Sequence, residues 1–178
     1  NRNQLGNTSE GIPAAPSGSS VWYSGPTFAN TADDNYSIGV LKGRSMGQPI
    51  MLAAESYFLQ AEAALKGIIT SGDDVTTLFN KGIEASFAYL YKNKNGTYNA
   101  MGNNPLNLID PVADGAAYKE ENDNENNRLV NIELAASDEE RLEAIITQKY
   151  IALNMIHGHE SWAEFRRTGY PVIDNTAP

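Results

Sequence analysis

The chain contains no cysteine. Disulfides, thiolate zinc sites and thiol catalysis are therefore excluded. It also lacks any apolar run near the roughly 20 residues that a membrane-spanning helix needs. Positive charge is scarce: 13 Lys and Arg stand against 22 Asp and Glu, giving a net charge of −9. Such a surface repels phosphate backbones and anionic lipid heads, which argues against nucleic acid and against direct membrane attachment. Neither a phosphate-binding loop nor a dinucleotide fingerprint occurs, and Ser17, Ser19, Ser20 and Ser24 sit in no nucleophile elbow. The start, Asn1-Arg2-Asn3-Gln4, has no initiator Met and no basic-then-apolar lead. The expectation is a mature or trimmed segment of something longer.

What is present fits one globular unit. At 178 residues the chain matches a single domain of roughly 100–200 residues. Residues 1–48 are punctuated throughout by Gly and Pro, which predicts an irregular, loop-rich segment. A first helix is expected from Pro49, a residue suited to the opening helical position, to about Lys66, ending at Gly67. Ala54, Tyr57, Phe58, Ala61, Ala64 and Leu65 form its apolar stripe. Glu55, Glu62 and Lys66 fall largely off that stripe, with Glu62 and Lys66 spaced as an i,i+4 pair. A second helix is expected over 73–93, with Asp73 and Asp74 at its start and Val75, Leu78, Phe79, Ile83, Phe87 and Leu90 as its stripe. The two form a helical hairpin close to the roughly 34-residue tetratricopeptide unit. Residues 97–136 are mostly polar, and 119–127 read as a solvated loop. Ser137 and Glu140 make a capping box for a third helix, whose stripe is Leu142, Ile145, Ile146, Ala152, Leu153 and Ile156. A short fourth helix is expected from near His159 to Gly169, with Trp162 and Phe165 facing inward. The fold class is mainly α: a tetratricopeptide-like helical hairpin plus terminal helices with long irregular loops.

Few residues suggest chemistry. His157, His159 and Glu160 are metal-ligand types, but the histidines are two apart, whereas a helical zinc motif needs them four apart on one face. The expected reading is a loop and a helix cap, with no metal. The acidic residues near Asp123 and Glu125 lack the ligand spacing and central Gly of a calcium loop. Glu55 and Glu62 are two helical turns apart, about 10 Å along the axis, which is too far for the paired carboxylates of an inverting glycosidase. No catalytic residue and no cofactor are expected. Buried arginines must be paired, so Arg166 or Arg167 is expected to bond a carboxylate or carbonyl, with Glu55 and Glu62 as candidate partners. Trp22 and Tyr23 differ, being adjacent aromatics in a Gly/Pro/Ser loop. They either plug a groove between helices or offer stacking faces to a ligand, with Asn30, Asp33, Asp34 and Asn35 as neighbouring polar groups.

Several segments together resemble one known family. PIMLAAESYFLQAEAALKG over 49–67 is similar to the AE-x-x-FL-x-AEAA-x-x-G signature of SusD/RagB proteins. LFNKGIEASF over 78–87 resembles the helix that follows it, and ITQKYIAL over 146–153 with GHESWAEFRRTGYP over 158–171 resembles the family's terminal block. Ordered motifs are more specific than any one alone. The resemblance implies that 1–178 is a C-terminal segment of a SusD-like domain, irregular over 1–48 and helical over 49–178. It implies a non-enzymatic nutrient-binding protein, facing outward from a bacterial outer membrane, that passes oligosaccharide or another nutrient to a SusC-like TonB-dependent transporter. Membrane attachment would come only through an upstream lipid anchor. Glu55, Glu62, Gly158, His159, Glu160, Trp162, Arg166 and Arg167 fall in the motifs that mark the family's structure. Two other classes remain open: an interaction module that docks to the transporter or to a missing N-terminal half, and a hydrolase.

Overall fold

The computed structural model describes residues 38–40, 42, 45–98, 109–121 and 127–172. Five α-helices occupy the described residues: α1 (Ala53–Leu65), α2 (Val75–Tyr91), α3 (Pro111–Glu121), α4 (Asp138–Leu153) and α5 (Gly158–Thr168). Short 3-10 turns at Asn127–Leu129 and Ile132–Leu134 lead into α4. There is no β-strand among these residues, only an isolated bridge between Lys92 and Tyr98. The mainly helical class expected from the sequence is what the chain adopts.

The chain divides into two compact units, one of residues 49–89 and 110–173, the other of 1–48, 90–109 and 174–178. In the second of these, the Gly39 amide donates to the Leu90 carbonyl and Lys42 Nζ donates to the Lys92 carbonyl. The Asn93 carboxamide accepts from the amides of Asn95 and Thr97, which folds the chain back just after α2.

The larger unit holds the helical core. α1 is written in strong helix formers with no internal Gly or Pro. It begins at Ala53, four residues later than the position of Pro49 suggests, with extended Leu52 as its cap. Its end is a Schellman motif: Gly67, at φ 66°, donates to the Ala64 carbonyl and Ile68 donates to that of Ala63. α2 is capped by Asp74, whose carboxylate accepts from the Thr77 amide at 2.7 Å.

Ala54, Phe58 and Ala61 of α1, Leu78, Phe79 and Ile83 of α2, Ile132, and Ala144, Ile145 and Ala152 of α4 form one buried cluster. Phe58 and Phe79 meet edge to face, 6.0 Å between centroids. The closest backbone packing of α1 is with α4. The expected stripes thus meet in a shared core.

Three expectations need correction. No helix is expected in the mostly polar stretch 97–136, yet residues 111–121 form α3, including the first residues of the stretch 119–127 read as loop. Asp110 caps it by accepting from the Ala113 amide at 3.0 Å, and Pro111 takes the first helical position. The helix packs by the buried Gly115 near Ile83 and Glu84, and by a Phe87–Tyr118 edge contact at 5.8 Å. Glu55 and Glu62, read as lying largely off the apolar stripe, are buried nonetheless. Trp162 is 60% exposed instead of inward, and the buried residue of α5 is Ser161.

Candidate functional site

The terminal block gathers two features around α5: a chain of partly buried charges on one side and an aromatic cleft on the other. Both depend on how α5 is anchored. Its N-terminal boundary is His157, whose Nε2 donates to the Pro49 carbonyl at 2.8 Å; a carbonyl only accepts, so Nε2 carries the hydrogen. His157 Nδ1 lies 3.5 Å from Glu55 Oε2. The C-terminus closes on Gly169, at φ 79°, which donates to the Phe165 carbonyl. Arg166 and Arg167 occupy the last turn, where cations suit the helix dipole.

The charge chain runs Lys66–Glu62–Arg167–Glu164–Lys149. Arg167 grips both carboxylate oxygens of Glu62, at 2.6 and 2.7 Å, and its Nη2 also donates to Glu164 Oε2 at 2.6 Å. Glu164 Oε1 accepts from Lys149 Nζ at 2.8 Å. Lys66 holds Glu62 from one helical turn further along α1. Burial alone would push the Glu62 carboxyl up, but its bonds to Arg167 and Lys66 and their charges carry it below the ordinary range. The Arg167 guanidinium is held in its charged form, first by Glu62 and against the effect of burial, with Glu164 adding to it. Lys149 has only 3% of its side chain exposed. A lysine so buried requires a counterion, and Glu164 supplies it. Sequence reasoning missed Lys149 and Glu164. The available signal was a lysine inside the otherwise apolar run of α4.

The second feature is a shallow cleft of about 220 Å³ beside α5 and the end of α4, lined by Tyr150, Asn154, Ser161, Trp162, Phe165 and Pro171 among others. Trp162 and Phe165, three residues apart on the helix, lie nearly parallel at 26° with centroids 5.8 Å apart. The stacked rings make an apolar shelf along α5. No lining residue carries a charge. Among the described residues, neither the Tyr150 hydroxyl nor the Asn154 carboxamide has a hydrogen-bond partner, and Met155, next to Asn154, holds a left-handed backbone at φ 67°. Tyr150, Asn154 and Pro171 were not foreseen as cleft residues. They converge only because the turn after α4 reverses the chain.

Of the residues singled out in the sequence, Trp22, Tyr23, Asn30, Asp33, Asp34 and Asn35 lie outside the described residues, as do Asp123 and Glu125. Gly158, His159 and Glu160 form the exposed first turn of α5. Arg166 is exposed and has no partner among the described residues, whereas Arg167 is the member of the pair that bonds a carboxylate. No group of three or more metal-ligand side chains is assembled among the described residues. No described helix is long and apolar enough to cross a membrane.

A family model described as SusD-like, Susd and RagB outer membrane lipoprotein, matches residues 27–177. The match spans α1 to α5, the charge chain and the cleft, and the chain belongs to the SusD-like family. Comparison with curated proteins and with solved structures returns no match.

Proposed function

We propose that this chain acts by binding and not by catalysis, as a nutrient-capturing component of an outer-membrane uptake system. Its cargo would be an oligosaccharide, handed to a SusC-like TonB-dependent transporter. The observation that carries the reading is the family match over 27–177. The fate of the two helix-one carboxylates supports it. Glu62 is engaged by two cations and held in its charged form, which suits an ion pair and makes a poor general acid. Glu55 is buried beside the His157 ring. The loop residues Trp22 and Tyr23, flanked by Asn30, Asp33, Asp34 and Asn35, remain proposed ligand contacts. Connecting loops can vary without harming the helical core, which suits them to ligand contacts. A cargo that must be released calls for modest affinity, micromolar to millimolar or about −4 to −8 kcal/mol.

The test is a glycan array followed by calorimetry with the full chain, and chromatography of each bound sugar after prolonged incubation. At least one oligosaccharide should bind and be recovered intact. Shortened products would overturn the non-enzymatic reading. A chain that binds no glycan on the array would overturn the choice of cargo.

A further inference from the structure

We propose that the cleft at Trp162 is a saccharide subsite, taking one uncharged sugar ring against the Trp162–Phe165 shelf. The inference rests on the binding reading above and adds a second contact point to it, separate in sequence from the Trp22–Tyr23 loop.

Four observations define the ligand. Trp162 is 60% exposed, an unusual position for an indole unless something covers it. The shelf is aromatic and apolar, with Trp162 and Phe165 stacked nearly parallel, 26° apart. A pyranose offers a matching face of C–H groups. The cleft's other lining includes Tyr150 and Asn154, whose polar ends have no partner among the described residues and suit the hydroxyl edge of the same ring. No charged residue lines the cleft, and the protein carries a net charge of −9, so a neutral ligand is favoured over an anionic one.

Size narrows the choice. The cleft's volume of about 220 Å³ is below the roughly 300–1,000 Å³ of pockets for drug-sized ligands. It therefore accommodates one ring, with the rest of a chain running out over the surface. The turn that positions Asn154 is held unusually. Met155 adopts φ 67° without being glycine, and it is 47% exposed, so burial of its own side chain is not what fixes that backbone. Strained turns of this kind gather at sites where a side chain must be aimed.

The chain has two tryptophans, so Trp22→Phe leaves Trp162 as the sole indole reporter. The full chain carrying this change is titrated with maltohexaose, cellohexaose, xylohexaose and mannohexaose to millimolar concentration, reading tryptophan emission and acrylamide quenching. Calorimetry on the unaltered chain with the same sugars runs in parallel. The subsite predicts that at least one sugar shifts Trp162 emission to the blue saturably and protects it from quencher. Adding Asn154→Ala should then raise the half-saturation concentration by about three-fold or more, and Trp162→Ala in the unaltered background should weaken calorimetric binding by about ten-fold. Circular dichroism confirms that each variant is folded. Because Trp22 is itself a proposed contact, calorimetry is repeated on the Trp22→Phe chain, and binding by that chain without any change in Trp162 emission overturns the subsite and leaves the binding reading standing. An emission change indifferent to Asn154→Ala also overturns the subsite. Absence of both calorimetric and fluorescence response to all four sugars overturns the subsite together with the saccharide reading on which it rests.

Discussion

Arg167 and Glu62, 105 residues apart in the chain, form a two-pronged ion pair, Nη1 to Oε1 at 2.6 Å and Nη2 to Oε2 at 2.7 Å. The fork ties the last turn of α5 to α1, and through Glu164 and Lys149 the same guanidinium is linked to α4. Three helices are thus registered by one planar group. A lysine ammonium lacks the rigid fork needed to bond both oxygens in one plane.

Arg167→Ala should therefore destabilise the protein. Removing one partner of a fully buried pair costs about 3–5 kcal/mol, but Arg167 keeps 43% of its side chain exposed. Screening reduces the expected loss to about 1–3 kcal/mol. Thermal unfolding followed by circular dichroism should show a fall of about 3–9 °C at this chain length. Arg167→Lys should recover only part of it. Arg166→Ala, at an exposed position without a partner among the described residues, should leave the midpoint within about 0.5 kcal/mol of the parent.

The same pair has an acid limit. Glu62 is moved below its ordinary value of 4.5, since the bonds and charges of Arg167 and Lys66 outweigh the opposing effect of burial. Its folded value is lower than its unfolded one, so its contribution is complete above about 4.5 and is lost as pH falls through the folded value. Melting curves taken from pH 6 down to about pH 3 should converge for the parent and Glu62→Gln, because the variant has nothing left to protonate there. Curves that stay parallel across that window would place the acid sensitivity in other carboxylates.

Much of this arrangement is legible in the sequence, for definable reasons. The α1 and α4 stripes are visible because Phe58, Ala61, Ile145 and Leu153 recur at helical spacing, and they are buried as that spacing demands. The Ser137 cap is equally local: its hydroxyl accepts from the Glu140 amide, and Glu140 reaches back to the Ala136 amide. α3 was hidden because its side of contact is made by Gly115 and Tyr118, which give no apolar period. Glu62 is one of two candidate carboxylates for the terminal arginines, but which pair forms, and how deeply Glu62 is buried, is not legible because the partners lie 105 residues apart. Amphipathic patterning assigns a carboxylate to the solvent side, and only tertiary pairing reverses that. Trp162 failed in the opposite sense: an aromatic in a helix reads as core, and here it faces the cleft.

Tyr170 offers a test of the chain just beyond α5. Its hydroxyl donates to Glu139 Oε1 at 2.7 Å, and this bond to a carboxylate, with some help from burial, pushes its pKa up to about 12. Difference absorbance in alkali should therefore show a tyrosine step near pH 12, beside that of Tyr89, which burial also raises above its ordinary value. In Glu139→Gln the Tyr170 step should move back toward its ordinary value of 10.0, and in Tyr170→Phe it should vanish. Because Tyr89 is also raised by burial, the test is the amplitude near pH 12: an amplitude unchanged in both Tyr170→Phe and Glu139→Gln removes the contact as its cause.

The sharpest packing prediction concerns Gly82, in the middle of α2. A Cβ at this position would lie 2.5 Å from Phe58 Cε1, 2.6 Å from Cζ and 2.9 Å from Cδ1. Real Cβ contacts do not reach such values, so the ring or the helix must move. Gly82→Ala thus sets two effects against each other. Replacing a helix-interior glycine gains about 1 kcal/mol of propensity, while forcing a methyl into a filled core costs about 1–3 kcal/mol. Phe58 is 1% exposed and wedged against Phe79, so its ring has little room to retreat. The clash should win, with a net loss of about 1–2 kcal/mol in urea unfolding. The mechanism is checked by a double-mutant cycle with Phe58→Leu, which removes the ring atoms the methyl would strike. In that background Gly82→Ala should become neutral or stabilising, a coupling of about 1–3 kcal/mol. Additive losses would mean that the helix, and not the ring, resists the methyl, and the close approach of α1 to α2 at Gly82 would not be what this glycine secures.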